Sequence, residues 1–377
     1  MNLTVLTSAE ELHALREDWR KLMEESADKG IYLCHEWCCA GYDIFHRNDK
    51  IYLLILTDDS KKLTGIAPLV ITYGTYRGIK VRKICFVRNP ENPAHNFILQ
   101  SGTEEVCLEI IMEHLFRFLE WELIELQMLD INAQTGIILQ KMLLEKNCAF
   151  GTKFNRQSPY FLFDISWEEF WKSRSKKFKK AMRNKLNRAA NQKNLFIEKI
   201  LLSNGNAQDI HGMIKISSNS WKGKIRKDLA SNKDNLEFYK RLCDIMGPKG
   251  ATYLWLLKIN HVPVAFEFHI EHEGIVYPLR ADFDENYKDL SPGSVLEYEI
   301  IKSLFKQGNL SEYHSCGHNY AYLLNWTNKI KNYQNFEIFD KKLKMTILYN
   351  FEHRIMVMLR KCGTYHYLKK FIKPSKA

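Results

Sequence analysis

ATYLWLLKI (251–259), VPVAFEFHI (262–270) and IVYPLRADF (275–283) are three apolar runs separated by Asn260-His261 and by a turn at Gly274. β-Branched and aromatic residues over this length, broken by two-residue or glycine turns, read as antiparallel strands, so the three form a meander. Strand side chains alternate between faces, which puts Ala265, Glu267 and His269 on one side of the middle run and Phe266, Phe268 and Ile270 on the other. Helices at about 207–221 and 235–246 precede the meander. After it, Ser291-Pro292-Gly293-Ser294 opens a helix to Phe305, stopped by Gly308, and a strand follows near 310–315.

Upstream, Ser166-Trp167-Glu168-Glu169 is a capping box, and the helix it starts, expected over 167–190, carries Phe170, Phe178, Met182, Leu186 and Ala189 or Ala190 along one face. Ten basic residues and no acid lie between Lys172 and Lys193, nearly the whole net charge of +11. The first half alternates in the same way. A strand at 3–6 is followed by a second capping box, Ser8 to Glu11, and a helix to about Glu25. A helix at 36–45, a hairpin of 51–57 with 63–73, and strands near 81–87 and 96–100 come next. A helix at 104–120, a strand at 123–129 and a helix at 133–145 complete that half. The fold class is therefore α/β (α+β), with a mixed, mainly antiparallel sheet flanked by helices. The composition shifts at 158–164, which divides the chain into domains 1–160 and 161–345 and a basic tail, 346–377, with a helix from about Thr346.

The chain has 377 residues, 45% hydrophobic and 26% charged, the make-up of a packed globular protein of roughly two domains. Its longest apolar runs fall short of the roughly 18 to 20 residues that cross a bilayer, so no membrane span is expected. Residues 1–8 lack the charged, apolar and cleavage regions of a secretory signal, which points to the cytoplasm. Most of the nine cysteines sit in apolar runs and read as reduced thiols. Cys34, His35, Cys38 and Cys39 lack a second pair at ligand spacing, so no metal is implied.

Lys258-Ile259-Asn260-His261-Val262-Pro263-Val264-Ala265, then Tyr287, Ser291-Pro292-Gly293 and Leu296, resemble the pattern of the BioF2-like, cellulose-biosynthesis-associated (CelD-like) acetyltransferase domain. This is a branch of the GNAT superfamily close to the FemAB-type transferases. Trp221, Ser175–Lys177 ahead of Arg183, and Leu63-Thr64-Gly65-Ile66-Ala67-Pro68-Leu69 are similar to its other blocks, so the resemblance spans about residues 50–330. It implies tandem GNAT-like domains, the first a degenerate copy that shapes the acceptor site. The second would bind acetyl-CoA and move its acyl group to an amine or hydroxyl by direct attack. Val264, Ala265, Ser291, Pro292, Gly293, Ser294, Lys176, Lys177 and Arg183 would then hold the CoA. Two departures stand out. The glycine-rich Q/R-x-x-G-x-G/A loop of ordinary GNAT enzymes is absent, with Pro292-Gly293-Ser294 in its place. The late acidic block is similar only at Gly317, Tyr322 and Trp326, with Tyr313 or His314 where an aspartate is usual and Leu323 where a lysine is usual.

Physical chemistry supports parts of this implication. Proline at a first helical turn leaves no amide unpaired, glycine admits a ligand to the backbone, and the helix dipole attracts phosphate. Ser-Pro-Gly-Ser is equally a well-made helix start. Glu267, in an apolar strand, is the best-placed general base, and Asp282 beside Arg280 the second candidate. Their plainer readings are a solvent-facing glutamate and an ion pair. His318, Tyr320 and Tyr322 are candidates for the acid that reprotonates the leaving thiolate. The basic helix reads as a solvated face, a nucleic-acid surface, or a rim for a polyanion such as CoA, an aminoacyl-tRNA or an acidic glycan precursor. An acceptor in polysaccharide or cell-envelope synthesis, FemAB-like transfer from aminoacyl-tRNA, and a non-catalytic anion- or nucleic-acid-binding scaffold all remain open.

Overall fold

The computed structural model describes residues 1–202 and 207–361. The first half of the chain forms strands β1 (Asn2–Leu6), β2 (Lys50–Thr57), β3 (Leu63–Tyr76), β4 (Ile79–Phe86), β5 (Ile98–Leu99), β6 (Leu123–Asp130) and β7 (Phe150–Leu162). The second half forms β8 (Leu195–Leu201), β9 (Thr252–Ile259), β10 (Val262–His272), β11 (Ile275–Phe283), β12 (Glu312–His314) and β13 (Ile330–Phe339). All join one sheet in the order β1-β2-β3-β4-β6-β13-β7-β12-β11-β10-β9-β8, with β5 on β3. Its pairs are antiparallel except β4 with β6 and β11 with β12.

Each half repeats one succession. A strand (β1 or β8) is followed by helices, three antiparallel strands (β2-β3-β4 or β9-β10-β11), a helix (Glu104–Phe118 or Pro292–Leu304) and a parallel strand (β6 or β12). The strand that closes each succession crosses to the other half. β7, which follows β6, pairs with β12, while β13, which follows β12, pairs with β6, and the two lie side by side at the centre. A division at 160 and 345 leaves β13 with the second domain, whereas its hydrogen bonds run to β6 and β7.

Between the halves, Trp37 and Phe45 of helix His35–Phe45 meet Phe238 of helix Lys233–Met246 at ring distances of 5.2 and 5.7 Å. Leu254, Leu256, Phe266, Phe268 and Ile270 belong to this shared core, and Trp255, Leu257, Val264 and Ala265 to a separate one on the opposite sheet face. The alternation expected for the middle strand is thus present. Helices Trp167–Ser173, Lys176–Ala190 and Pro292–Leu304 cover the second face.

Several elements differ from expectation for local reasons. The single helix expected over 167–190 breaks at Arg174-Ser175, because the Ser175 hydroxyl accepts from the Phe178 amide and starts a new helix. The N-terminal helix likewise divides at Leu15. The helix expected to reach 221 ends at Ser218, and Ser220 caps a separate turn, Trp221–Lys224. β7, β8 and β13 were not anticipated, since each mixes charged and polar residues into its alternation. The tail helix begins at Leu343, and the tail beyond residue 361 lies outside the described residues.

Exchange of β7 and β13 makes the two halves one cooperative body. Phe336 of β13 is fully buried, so Phe336→Ala should cost about 3–5 kcal/mol. Wild type and variant should each unfold in a single transition, with tryptophan fluorescence and far-ultraviolet circular dichroism coincident in a denaturant titration. Two separated transitions would refute the coupling of the halves.

Candidate active site at an opening in the sheet

β12 meets β11 at only two positions, Ile275↔Glu312 and Val276↔Tyr313. Beyond them β11 runs on to Phe283 with that edge unpaired among the described residues, so the sheet opens between two central strands. Glu267 of β10 lies opposite Ala281 of β11 on the face covered by helix Pro292–Leu304. It is 5% exposed, and its Oε2 is 2.8 Å from His269 Nε2. Burial pushes its carboxyl well above the ordinary value of 4.5. Burial pushes the His269 ring down to about 3, so this imidazole is neutral, and its Nδ1 has no hydrogen-bond partner among the described residues.

The helix supplies a second carboxyl that the sequence reading missed. Glu297 is partly buried, and burial, then the charge of Glu267, push it well above 4.5. Lys185 and the Trp326 indole act in the opposite sense. Among the described residues no hydrogen bond of ordinary geometry reaches the Trp326 indole N–H. One signal was available. Glu297 stands on the helical row of Ile301 and Leu304, both buried, where an apolar residue is the norm. Tyr313 and Tyr322 complete the cluster. Burial and both carboxylates push each phenol upward, so both keep their protons.

At the start of the same helix, Ser291 adopts φ +53° and Pro292 takes the first helical position. Lys185 Nζ donates to Ser294 Oγ at 2.8 Å, and Arg188 to Ser291 Oγ at 3.4 Å. Arg188, Asn191, Gln192, Lys288 and Ser291 line an open depression of about 620 Å³. Two cations therefore converge on the helix N-terminus, and they are not the expected ones. Lys176, Lys177 and Arg183 are exposed, and no hydrogen bond or ion pair joins them to residues 291–294 among the described residues. Val264 and Ala265 are fully buried, with Val264 at a bulge where its carbonyl accepts from the Asp284 amide at 2.8 Å.

The other expected residues divide. Asp282 pairs with Phe266, which turns it to the opposite sheet face from Glu267. There it accepts from Ser217 and Arg280, each at 2.9 Å, and meets Lys222 at 2.5 Å. This is a correction to its placement in the cleft: a carboxylate held by two cations is an ion-pair partner and does not reach the opening. Tyr322, 56% exposed, lies near enough to the carboxyl pair for the charges of Glu297 and Glu267 to act on its phenol. Tyr320 is 52% exposed and stacks on Tyr322, with ring centres 5.9 Å apart. His318 lies 5.8 Å from Tyr320, and His314 is bonded to the Tyr333 hydroxyl at 2.9 Å. Of Cys34, His35, Cys38 and Cys39, all buried, Cys39 Sγ lies 3.4 Å from His35 Nε2, and burial pushes the thiols up.

Residues 176–323 match the model of the Acetyltransferase (GNAT) domain. No curated protein matches the sequence. Among solved structures the chain is similar in fold to FemX, at 10% identity and a TM-score of 0.59, with 93% of this chain and 100% of that one covered. It is also similar to a conserved protein of unknown function from Bacteroides thetaiotaomicron (11% identity, TM-score 0.56, 89% and 100% covered). A third is L-PGS from Bacillus licheniformis (8% identity, TM-score 0.53, 91% and 95% covered). The segment matched by the family model contains the sheet opening, both carboxyls and the cation-flanked helix start, so residues 176–323 carry a GNAT acetyltransferase domain, which makes the protein a transferase.

Proposed function

We propose that the protein transfers an acyl group from acetyl-CoA or a similar thioester to an amine by direct attack, with the Glu267–Glu297 pair as proton acceptor. The observation that carries this reading is a buried carboxyl, Glu267 of β10, beside a partly buried one, Glu297, near the opening between β11 and β12, the second on the helix whose first turn gathers Lys185 and Arg188. The diphosphate of CoA would sit at Ser291–Ser294, taking hydrogen bonds from Lys185, Arg188 and the free first-turn amides. Its thioester arm would enter the opening. An acceptor amine arrives as ammonium and gives a proton to the ionised member of the pair, whose basicity burial has raised toward that of the amine. The freed lone pair attacks the thioester carbon, the tetrahedral intermediate collapses, and the sulfur leaves as thiolate. Tyr322, still protonated, donates to that sulfur, and its phenolate then takes the second proton from the nitrogen as the neutral amide forms. His269 holds the Glu267 carboxyl in place as a positioning residue.

One feature favours a second reading. Lys176, Lys177, Lys180 and Arg183 form an exposed cationic surface away from the helix start, which suits a larger polyanion such as an aminoacyl-tRNA. Calorimetric titration separates the two. Acetyl-CoA should bind and bulk tRNA should not. Lys185→Glu should weaken acetyl-CoA tenfold or more, about 1.4 kcal/mol, while Lys176→Glu changes it little. Binding of tRNA alone would transfer the donor role to it, and an unchanged affinity in Lys185→Glu would remove CoA from the helix start.

Glu297→Gln and Glu267→Gln keep side-chain shape, so each should retain acetyl-CoA binding while the transfer rate falls about 10²- to 10⁴-fold. Wild-type kcat/KM should rise with pH through the neutral range, because only the ionised pair accepts a proton, and that limb should be displaced in both variants. Full rates with an unaltered profile in both would eliminate the pair.

The same raised carboxyls make an opposite prediction for stability. Above 4.5 the unfolded chain has lost these protons while the folded protein keeps them, so stability falls as pH rises through that window. Urea titrations from pH 5 to about 8 should show Glu297→Gln losing less stability with pH than wild type. Parallel curves would mean that the two carboxyls are not held protonated by the fold.

A further inference from the structure

Residues 343–361 form one continuous helical segment in three parts, Leu343–Tyr349, a π-helical stretch Asn350–Ile355, and Met356–Lys361. Met345, Leu348, Glu352 and Met356 face inward and are buried. Leu343, Ile347, Phe351, Ile355 and Met358 face outward, and each is between 41% and 77% exposed. In an α-helix a row spaced by four residues drifts around the axis, because a turn takes 3.6. The wider π turn takes more residues and offsets that drift, which keeps the five side chains on one side of the segment. Such a row is an apolar face that no other described residue covers.

The charges around it have one sign. Segment 341–361 carries Lys341, Lys342, Lys344, Arg354, Arg360 and Lys361 against a single acid, Glu352. That acid is 1% exposed and held from below by Arg77 and Lys153. Lys342 and Lys344 pair with Asp340 and Glu122, while Lys341, Arg354 and Lys361 are exposed. The sequence that follows, 362–377, adds Lys369, Lys370, Lys373 and Lys376 with Tyr365, Tyr367 and Phe371, and no acid. A second copy docked through this row would bring like charges face to face, since the same patch meets itself in a two-fold interface. A nucleic acid would leave the aliphatic centre of the row without a partner. An anionic bilayer surface satisfies both features, apolar side chains entering the acyl boundary and lysines meeting headgroups.

We propose that the outer face of segment 343–361 binds this protein to the surface of an anionic lipid bilayer, lying in the interface without crossing it. The test is co-sedimentation of the full chain with vesicles of phosphatidylcholine containing about one-third phosphatidylglycerol. The protein should pellet with these and stay in solution with phosphatidylcholine alone. Phe351→Asp and Ile347→Asp, at exposed positions that leave the melting temperature unchanged, should each lower the partition coefficient about tenfold or more. Arg354→Glu with Lys361→Glu should weaken binding and flatten its dependence on salt. Failure of the wild-type chain to pellet, equal binding to neutral vesicles, or unchanged binding by both aspartate variants would overturn the proposal. So would dimerisation without lipid that Phe351→Asp abolishes, or binding of bulk RNA that only the charge reversals weaken. Acyl transfer to a soluble amine should be unaffected by these substitutions, which keeps the membrane result separate from the catalytic reading.

Discussion

Backbone hydrogen bonds between β7 and β13, in register from Ile330↔Pro159 to Ile338↔Phe150, hold the second half of the chain in the position its site requires. β7 continues past this pairing to Leu162 and there takes β12 as its next neighbour. It thereby fixes where Tyr313 and His314 stand, with Phe161 stacked on Tyr313 at 4.8 Å and the Tyr333 hydroxyl bonded to His314. Because β12 is committed to β7, it follows β11 for only two pairs. The opening in the sheet is thus set by a long-range pairing between strands that close the two halves. A single half without its exchange partner would have neither the neighbour for β12 nor the covered edge.

Placing two carboxyls beside that opening works against stability. Glu267 is surrounded by Ala265, Trp255 and Ala281 through its strand register, with helix Pro292–Leu304 above it. In such surroundings an ionised carboxylate is costly, and a second one nearby makes full ionisation costlier still. Among the described residues no cation acts on Glu267, and Glu297 has Lys185, which is also bonded to Ser294. A ligand anion that drew Lys185 toward the helix start would leave Glu297 with less positive charge beside it and raise its basicity further. On the proposed reading, donor binding and proton affinity would be coupled through that one lysine.

Much of the C-terminal architecture was legible from sequence because its signals are local. The meander at 251–283 declares itself by apolar runs and tight turns, and Ser166 and Ser8 declare helix starts by capping boxes that the structure contains in full. β13 was not legible: residues such as Lys331, Asn332, Gln334 and Asn335 interrupt its apolar alternation, and only two neighbouring strands make it a strand. The site was legible in the same proportion. Glu267 follows from strand alternation alone. Glu297, Lys185 and Arg188 depend on how helices Lys176–Ala190 and Pro292–Leu304 cross, a tertiary relation that no spacing within either helix encodes. Lys176, Lys177 and Arg183 belong to the same charge run, yet they project from other sides of the helix.

Asp282 and Glu267 show why burial by itself does not separate an ion-paired carboxylate from one that could accept a proton. The two residues are equally hidden, at 6% and 5% exposure, on adjacent strands of one sheet. Asp282 has Arg280, Lys222 and the Ser217 hydroxyl around it, so its negative charge is matched. Glu267 has a neutral imidazole and apolar neighbours, so its charge is unmatched and its proton is retained. A group that already holds its counter-ions gains little by accepting a proton. A group denied them, and placed where a substrate amine can arrive carrying one, has a driving force to exchange it, and the alternation of a single β-strand pair decides which carboxyl is which.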